Sequence, residues 1–176
     1  MIRTILKSTL AAALVAGSLL STSAAYASDS SKGWVGGLFG LTVPSYNGTQ
    51  ARGMYGLTAG AKVGTEFGVG VYYLSSQKRE SIGDFNFDLY GVQVGYHFEG
   101  EANGVFIAGR IGTSKIAVNG TTNASPMNYG AVVGYDYMLV EHVSLGGEVS
   151  FMSIASAAST ESFTALNFLA ALKLWF

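Results

Sequence analysis

The chain has 176 residues, no cysteine, a formal net charge of −1, 49% hydrophobic residues and only 12% charged ones, about half the charged share of soluble domains. Without cysteine there are no disulfides, no thiol catalysis and no cysteine zinc site; with only two histidines besides, no metal or cofactor site is expected. No basic stripe exists to track phosphates, which excludes nucleic acid as a partner.

The chain opens with Arg3 and Lys7, then an apolar stretch from Leu10 to Leu20, then Ser21 to Ala27 ending in Ala25-Tyr26-Ala27. A charged start, a short greasy middle and a small-x-small end form a secretory leader, too short to span a bilayer as a helix. The expected organisation is a signal peptide over residues 1–27 and a single unit over 28–176, with no cysteine after the cleavage site for a lipid anchor.

Past Ala27 no apolar run approaches 18 residues, so helical spans are excluded. A chain this apolar must then distribute its hydrophobic residues by alternation. Gly is abundant at 24 and Pro scarce at 2, which suits many strands. Eight segments alternate with a period of two, at about the 9–11 residues that a tilted membrane strand needs. Gly33–Val43 comes first, with Val35, Phe39, Leu41 and Val43 on one face. Met54–Val63 sets Tyr55, Leu57, Ala59 and Ala61 against Gly56, Thr58, Gly60 and Lys62. Phe67–Ser75 groups Phe67, Val69, Val71 and Tyr73, and Phe87–Phe98 sets Tyr90, Val92, Val94 and Tyr96 against Leu89, Gly91, Gln93, Gly95 and His97. Val105–Ser114 sets Ile107 and Ile111 against Phe106, Arg110 and Gly112. Asn128–Met138 sets Tyr129, Val133, Tyr135 and Tyr137 against Gly130, Gly134 and Asp136. Val143–Met152 sets Leu145, Val149 and Phe151 against Ser144, Gly146 and Glu148. The last run, Phe163–Phe176, places Phe168, Leu172, Leu174 and Phe176 opposite Asn167, Leu169, Lys173 and Trp175.

Between these segments, tight turns (Gly64–Glu66, Glu99–Gly104, Leu139–His142) alternate with longer polar loops (Pro44–Gly53, Ser76–Asn86, Lys115–Met127, Ser153–Ser162). Short turns on one side and long loops on the other is the layout of an outer-membrane barrel, with the short turns toward the periplasm. Five of the six charges inside the predicted strands share a face with the glycines: Lys62, Arg110, Asp136, Glu148 and Lys173. A charge at the bilayer midplane costs about 2–4 kcal/mol, so that face must point inward. Asp88 is the exception, at the outer mouth of its strand, where the cost falls to about 0–1 kcal/mol. The opposite face carries aliphatics in its middle and interfacial aromatics at its ends. Tyr55, Tyr73, Tyr90 and Tyr129 belong to an outer girdle; Tyr96, Tyr135, Tyr137 and Phe176 belong to an inner one. A soluble barrel of the lipocalin kind would invert this pattern, and a glycine face with five charges is a poor exterior for it.

The run Gly130–Phe151, with a glycine-spaced strand, Gly134-Tyr-Asp-Tyr137, a short turn and Leu145-Gly-Gly-Glu148, resembles the small OmpA/OmpX/OmpW-type outer-membrane barrel superfamily. So does the closing aromatic Phe176. The resemblance implies an all-β, eight-stranded antiparallel up-and-down transmembrane barrel in the outer membrane of a Gram-negative bacterium. It implies Phe176 as an assembly signal, and as partners outer-membrane lipid including lipopolysaccharide, the barrel-assembly machinery and periplasmic chaperones. A surface ligand is conceivable, but nothing in the sequence specifies one. Lys78 and Arg79 are the loop cations that would meet lipopolysaccharide phosphates.

Eight-stranded barrels are just wide enough for side chains to fill. The expected interior is therefore a polar network: an Arg110–Glu148 ion pair at mid-depth and an inner cluster of Lys62, His97, Asp136 and Lys173, packed among Trp34, Tyr72, Phe106 and Trp175. The expected function is a structural or surface-interaction barrel, not an enzyme. The alternatives are a narrow porin-like channel and, more distantly, a lipid A acyl hydrolase. His142-Val-Ser144 superficially matches the His and Ser of that last family, but in a turn on the wrong side of the membrane.

Overall fold

The computed structural model describes residues 33–45, 50–77, 85–98, 103–118, 121–156 and 161–176. The leader and the Lys78–Arg79 pair lie outside them. Among the described residues nine strands are formed: β1 (Gly33–Pro44), β2 (Arg52–Val63), β3 (Phe67–Ser76), β4 (Phe85–His97), β5 (Gly104–Val118), β6 (Thr121–Ala124), β7 (Met127–Val140), β8 (Val143–Ile154) and β9 (Phe163–Trp175). Every pairing is antiparallel. Neighbours follow the order β4-β3-β2-β1-β9-β8-β7-β5, and β4 pairs with β5 to close the ring. Eight strands thus form a closed up-and-down barrel, and closure leaves no sheet edge for lipid to meet. No helix among the described residues is long and apolar enough to cross a membrane; this barrel crosses with strands.

The seam between first and last strands runs in register from Trp34 opposite Trp175 to Pro44 opposite Ala165. Beyond it, the Gly33 N–H donates to the Phe176 carbonyl (2.7 Å) and the Phe176 N–H to the Gly33 carbonyl (3.0 Å). At the same end, β2 turns into β3 through Gly64 at φ +72°, a left-handed position that favours glycine.

The strands are longer than their alternation suggested, chiefly at the end away from these turns. β5 continues through Lys115 to Val118, and β6 pairs back onto it across a register shift at Ile116/Ala117. The segment 115–127, expected as a loop, is therefore largely a hairpin that prolongs the barrel wall. Likewise Arg52, Phe85, Asn86, Ser153 and Ile154 are strand residues. The turn expected over Leu139–His142 contracts to Glu141 and His142, because β7 reaches Val140 through a second register irregularity.

These extensions reverse the sense of alternation. In β4, Val92 and Val94 point out while Gly91, Gln93 and Gly95 point in; above Tyr90, the buried residues are Phe85, Phe87 and Leu89, and Asn86 and Asp88 face outward. In β5 the exposed residue is Lys115 and the buried one Ile116. The cross-strand neighbours Ser75, Asp88 and Lys115 lie side by side, as do Ser153 and Thr164. This polar row marks where the outward face stops being apolar. Asp88 sits on it, held by the Ser75 hydroxyl, which donates at 2.6 Å.

Candidate functional site in the barrel lumen

The parity of each strand decides which side chains enter the lumen, and the glycines decide which bulky ones fit. Trp34 lies where a Cβ on Gly60 would collide with its ring, and Phe106 lies likewise against Gly134. Only side-chain-free positions allow those rings to cross the narrow bore.

At mid-depth, Arg110 of β5 makes a two-pronged ion pair across the lumen with Glu148 of β8, Nη1 to Oε1 at 2.8 Å and Nη2 to Oε2 at 3.1 Å. Its Nε donates to Gln93 Oε1 at 3.0 Å, and Gln93 Nε2 donates to Thr58 Oγ1 at 3.2 Å. The guanidinium stands 5.0 Å from the centre of the Tyr72 ring, whose hydroxyl donates to Asn128 Oδ1 at 2.5 Å. A connected set of polar groups from β2, β3, β4, β5, β7 and β8 therefore spans the bore. Side chains at 1% and 3% exposure make the fork geometry necessary, since buried charges must be both paired and hydrogen-bonded.

Nearer the short turns, Lys173 Nζ donates to Asp136 Oδ2 at 2.5 Å and lies 4.5 Å from the Phe106 ring centre. His97 stacks on Phe106 at 5.4 Å. Trp34 and Trp175 pack together at 5.6 Å, and the Trp175 indole N–H donates to Ser144 Oγ at 2.9 Å. Of the four residues expected to cluster here, Asp136 and Lys173 meet directly. Lys62 Nζ donates to the Thr65 carbonyl of the adjoining turn at 3.2 Å, and His97 lies against the rings of Phe106 and Trp175. All six residues expected to face the lumen, Lys62, His97, Arg110, Asp136, Glu148 and Lys173, are buried.

Above the Arg110 level the lumen changes character. Leu38, Met54, Leu74, Phe87, Leu89, Ile116, Met152, Ile154 and Phe163 form one buried apolar cluster. Phe85, Phe87 and Phe163 meet edge-on or tilted at 5.3–5.8 Å, as aromatic quadrupoles prefer. Arg52 donates through Nη1 to the Phe85 carbonyl and covers that ring at 5.4 Å. The sequence reading set Gln93 and Asn167 on the inward face but missed this apolar plug and the hydrogen bonds of Gln93, Asn128, Ser150 and Asn167. The inward parity of the last four was the available signal.

On the outside, Tyr55, Tyr73, Tyr90, Tyr129, Tyr135, Tyr137 and Phe176 are exposed, and Tyr96 is half-buried between Phe67 and Phe98, with edge contacts of 5.3 Å to each. Exposed side chains over the central belt are Val35, Leu57, Val69, Val92, Ile107, Val133, Leu145 and Leu172. So continuous an apolar exterior is out of place in water and suits acyl chains.

The family model for the outer membrane protein beta-barrel domain matches residues 11–174. The chain belongs to that family. It is an outer-membrane β-barrel protein of a Gram-negative envelope. No curated protein matches it in sequence. Among solved structures, it is similar to Neisserial surface protein A, at 15% identity and a TM-score of 0.68, over 84% of this chain and 98% of that one. Ail, the attachment invasion locus protein of Yersinia pestis, solved with the heparin analogue sucrose octasulfate, aligns at 10% identity and 0.60, over 83% and 99%. OprG of Pseudomonas aeruginosa aligns at 13% identity and 0.53, over 84% and 96%. At these identities the likeness is one of fold alone.

Proposed function

We propose that this outer-membrane barrel is a closed structural and surface-interaction protein, a wall rather than a conduit. The observation that carries this reading is the filled bore. The apolar plug occupies its outer half, the Arg110 network crosses its middle, and the cavity below, bounded by Trp34, Gln93, His97 and Trp175, measures about 20 Å3. That is room for about one water, not for a file of them. The expected outcome in planar bilayers is membrane insertion without stepwise conductance. Reproducible single-channel openings by the unaltered protein would overturn the reading.

A narrow solute channel is the second reading, favoured by the polar run from Glu148 through Arg110 and Gln93 to Thr58. It requires both that network and the plug to move. Replacing Arg110 by Ala would then raise conductance without lowering stability.

Enzymatic action on lipid A finds no support in the residues that suggested it. Ser144 Oγ is buried and accepts the Trp175 indole N–H, and His142 Nδ1 lies 3.1 Å from the Trp175 carbonyl oxygen in the short-turn end. Phe176 packs its ring over Gly33 at the closing seam. This placement supports a role for the closing aromatic in assembly, with lipid, lipopolysaccharide, chaperones and the assembly machinery as partners. Export by a leader over residues 1–27 is part of the same proposal.

A further inference from the structure

Met138 is placed unlike the other described methionines. Met54 and Met152 are buried in the apolar plug, and Met127 is exposed at the outer end. Met138 is half-buried at the short-turn end, on the inward side of β7, and packs against the Trp34–Trp175 pair. Its cross-strand partner on β8 is Ser144, whose hydroxyl accepts the Trp175 indole N–H at 2.9 Å. Beyond Met138, β7 has only Leu139 and Val140, both exposed.

Two features of the backbone hold it there. The register of β7 against β8 shifts between Met138 and Val140, an irregularity of the kind that re-aims a side chain. The pairing of β7 with β5 ends at Asp136 opposite Gly104, so the Met138 N–H lies beyond that ladder; it donates to the Asn103 side-chain Oδ1 at 3.1 Å. The two tryptophans that Met138 covers are buried and line the small cavity with His97 and Phe106. Met138 therefore stands between this group of rings and the water beyond the short turns.

We propose that Met138 is an oxidation site that unlatches the inner mouth of the lumen, the oxidant being a peroxide that arrives from the water beyond the short turns. The thioether sulfur attacks one peroxide oxygen. The S–O bond forms as the O–O bond breaks, the sulfur gives up two electrons, and the departing hydroxide takes the proton from the transferred oxygen and leaves as water. The sulfoxide makes a flexible apolar side chain polar, and its oxygen is costly to keep among ring faces. The side chain turns toward water and uncovers Trp34 and Trp175. This does not depend on whether the barrel conducts, since the Arg110 network and the plug lie above it.

Trp34 and Trp175 are the two tryptophans of the chain, so intrinsic fluorescence reads this mouth. The test follows the folded barrel, in peroxide-free detergent, through a time course in hydrogen peroxide. Peptide mass spectrometry gives the sulfoxide fraction at each methionine, and acrylamide quenching gives tryptophan exposure. The expected result is oxidation of Met127 and Met138 ahead of Met54 and Met152. Quenching should rise and emission shift to the red in step with Met138 and not with Met127. Met127→Leu keeps that response, and Met138→Leu, a swap of similar volume, loses it. Should Met138→Leu not fold, which heat-modifiable gel migration reports, the site-resolved time course of the unaltered protein and of Met127→Leu decides. Oxidation of Met138 no faster than that of Met54 and Met152 would overturn the proposal. So would Met138 sulfoxide with unchanged quenching, or a response that survives in Met138→Leu.

Discussion

The barrel consists of two storeys built on opposite rules. Below the row formed by Ser75, Asp88, Lys115, Ser153 and Thr164, apolar side chains point out and polar or glycine positions point in: Val92 and Val94 against Gln93 and Gly95, Val149 and Phe151 against Glu148 and Ser150. Above it, apolar side chains point in and polar ones out: Phe87 against Asp88, Ile116 against Lys115, Ile154 against Ser153. One continuous set of strands carries both patterns, with no break in the pairing of β4 with β5. The difference follows from the surrounding medium. Acyl chains leave the lumen as the place for charges, whereas water leaves it as the place for phenylalanines. In β4, β5 and β8 the level at which the alternation inverts is where the outer bilayer surface is expected to lie.

The comparison breaks most readily at the Arg110–Glu148 pair. Replacing Glu148 by Ala strands a buried guanidinium and should destabilise the barrel by about 3–5 kcal/mol in urea unfolding from lipid vesicles, whereas the double exchange Arg110→Met, Glu148→Leu should cost clearly less than the single one. In the upper storey, Phe87→Ala should cost about 3 kcal/mol through a cavity that surrounding rings cannot fill, and the same measurement should show no dependence on ionic strength. Charge placement sharpens the boundary. Val92→Arg, at the lipid-facing midplane, should cost about 2–4 kcal/mol, while a positive charge at the level of Asp88 should cost about 0–1 kcal/mol. The smallest effect is expected from Lys115→Ala, below about 0.5 kcal/mol, since its side chain is exposed and its neighbour Asp88 already has the Ser75 hydroxyl.

The lower storey was legible in the sequence because its alternation contrasts two extremes. Val69-Gly70-Val71 and Gly134-Tyr135-Asp136 leave no doubt which side chain meets lipid. Arg110 and Glu148 could be paired from parity and depth alone. The upper storey was not legible in the same way. Phe85-Asn86-Phe87-Asp88-Leu89 alternates cleanly, but in the sense of a half-solvated strand. Judged by the rule for lipid, Asp88 looked like a misfit and the strand seemed to begin later. Lys115 and the Gly- and Thr-rich residues after it carried turn composition although β5 continues to Val118. Parity likewise placed Lys62 in the lumen, whereas its hydrogen bond to the Thr65 carbonyl depends on how a flexible ammonium folds over the turn and could not be read from the pattern.

The most direct test of the two-sided wall uses β9, since the chain has no cysteine and single labels can be placed at will. Spin labels at Ala165, Leu166, Asn167, Phe168, Leu169, Ala170, Ala171 and Leu172 in reconstituted vesicles should alternate in oxygen accessibility. High values are predicted at Leu166, Phe168, Ala170 and Leu172, and low values at the residues between them. A profile without that alternation, or one in which Asn167 and Leu169 met the lipid, would contradict the account.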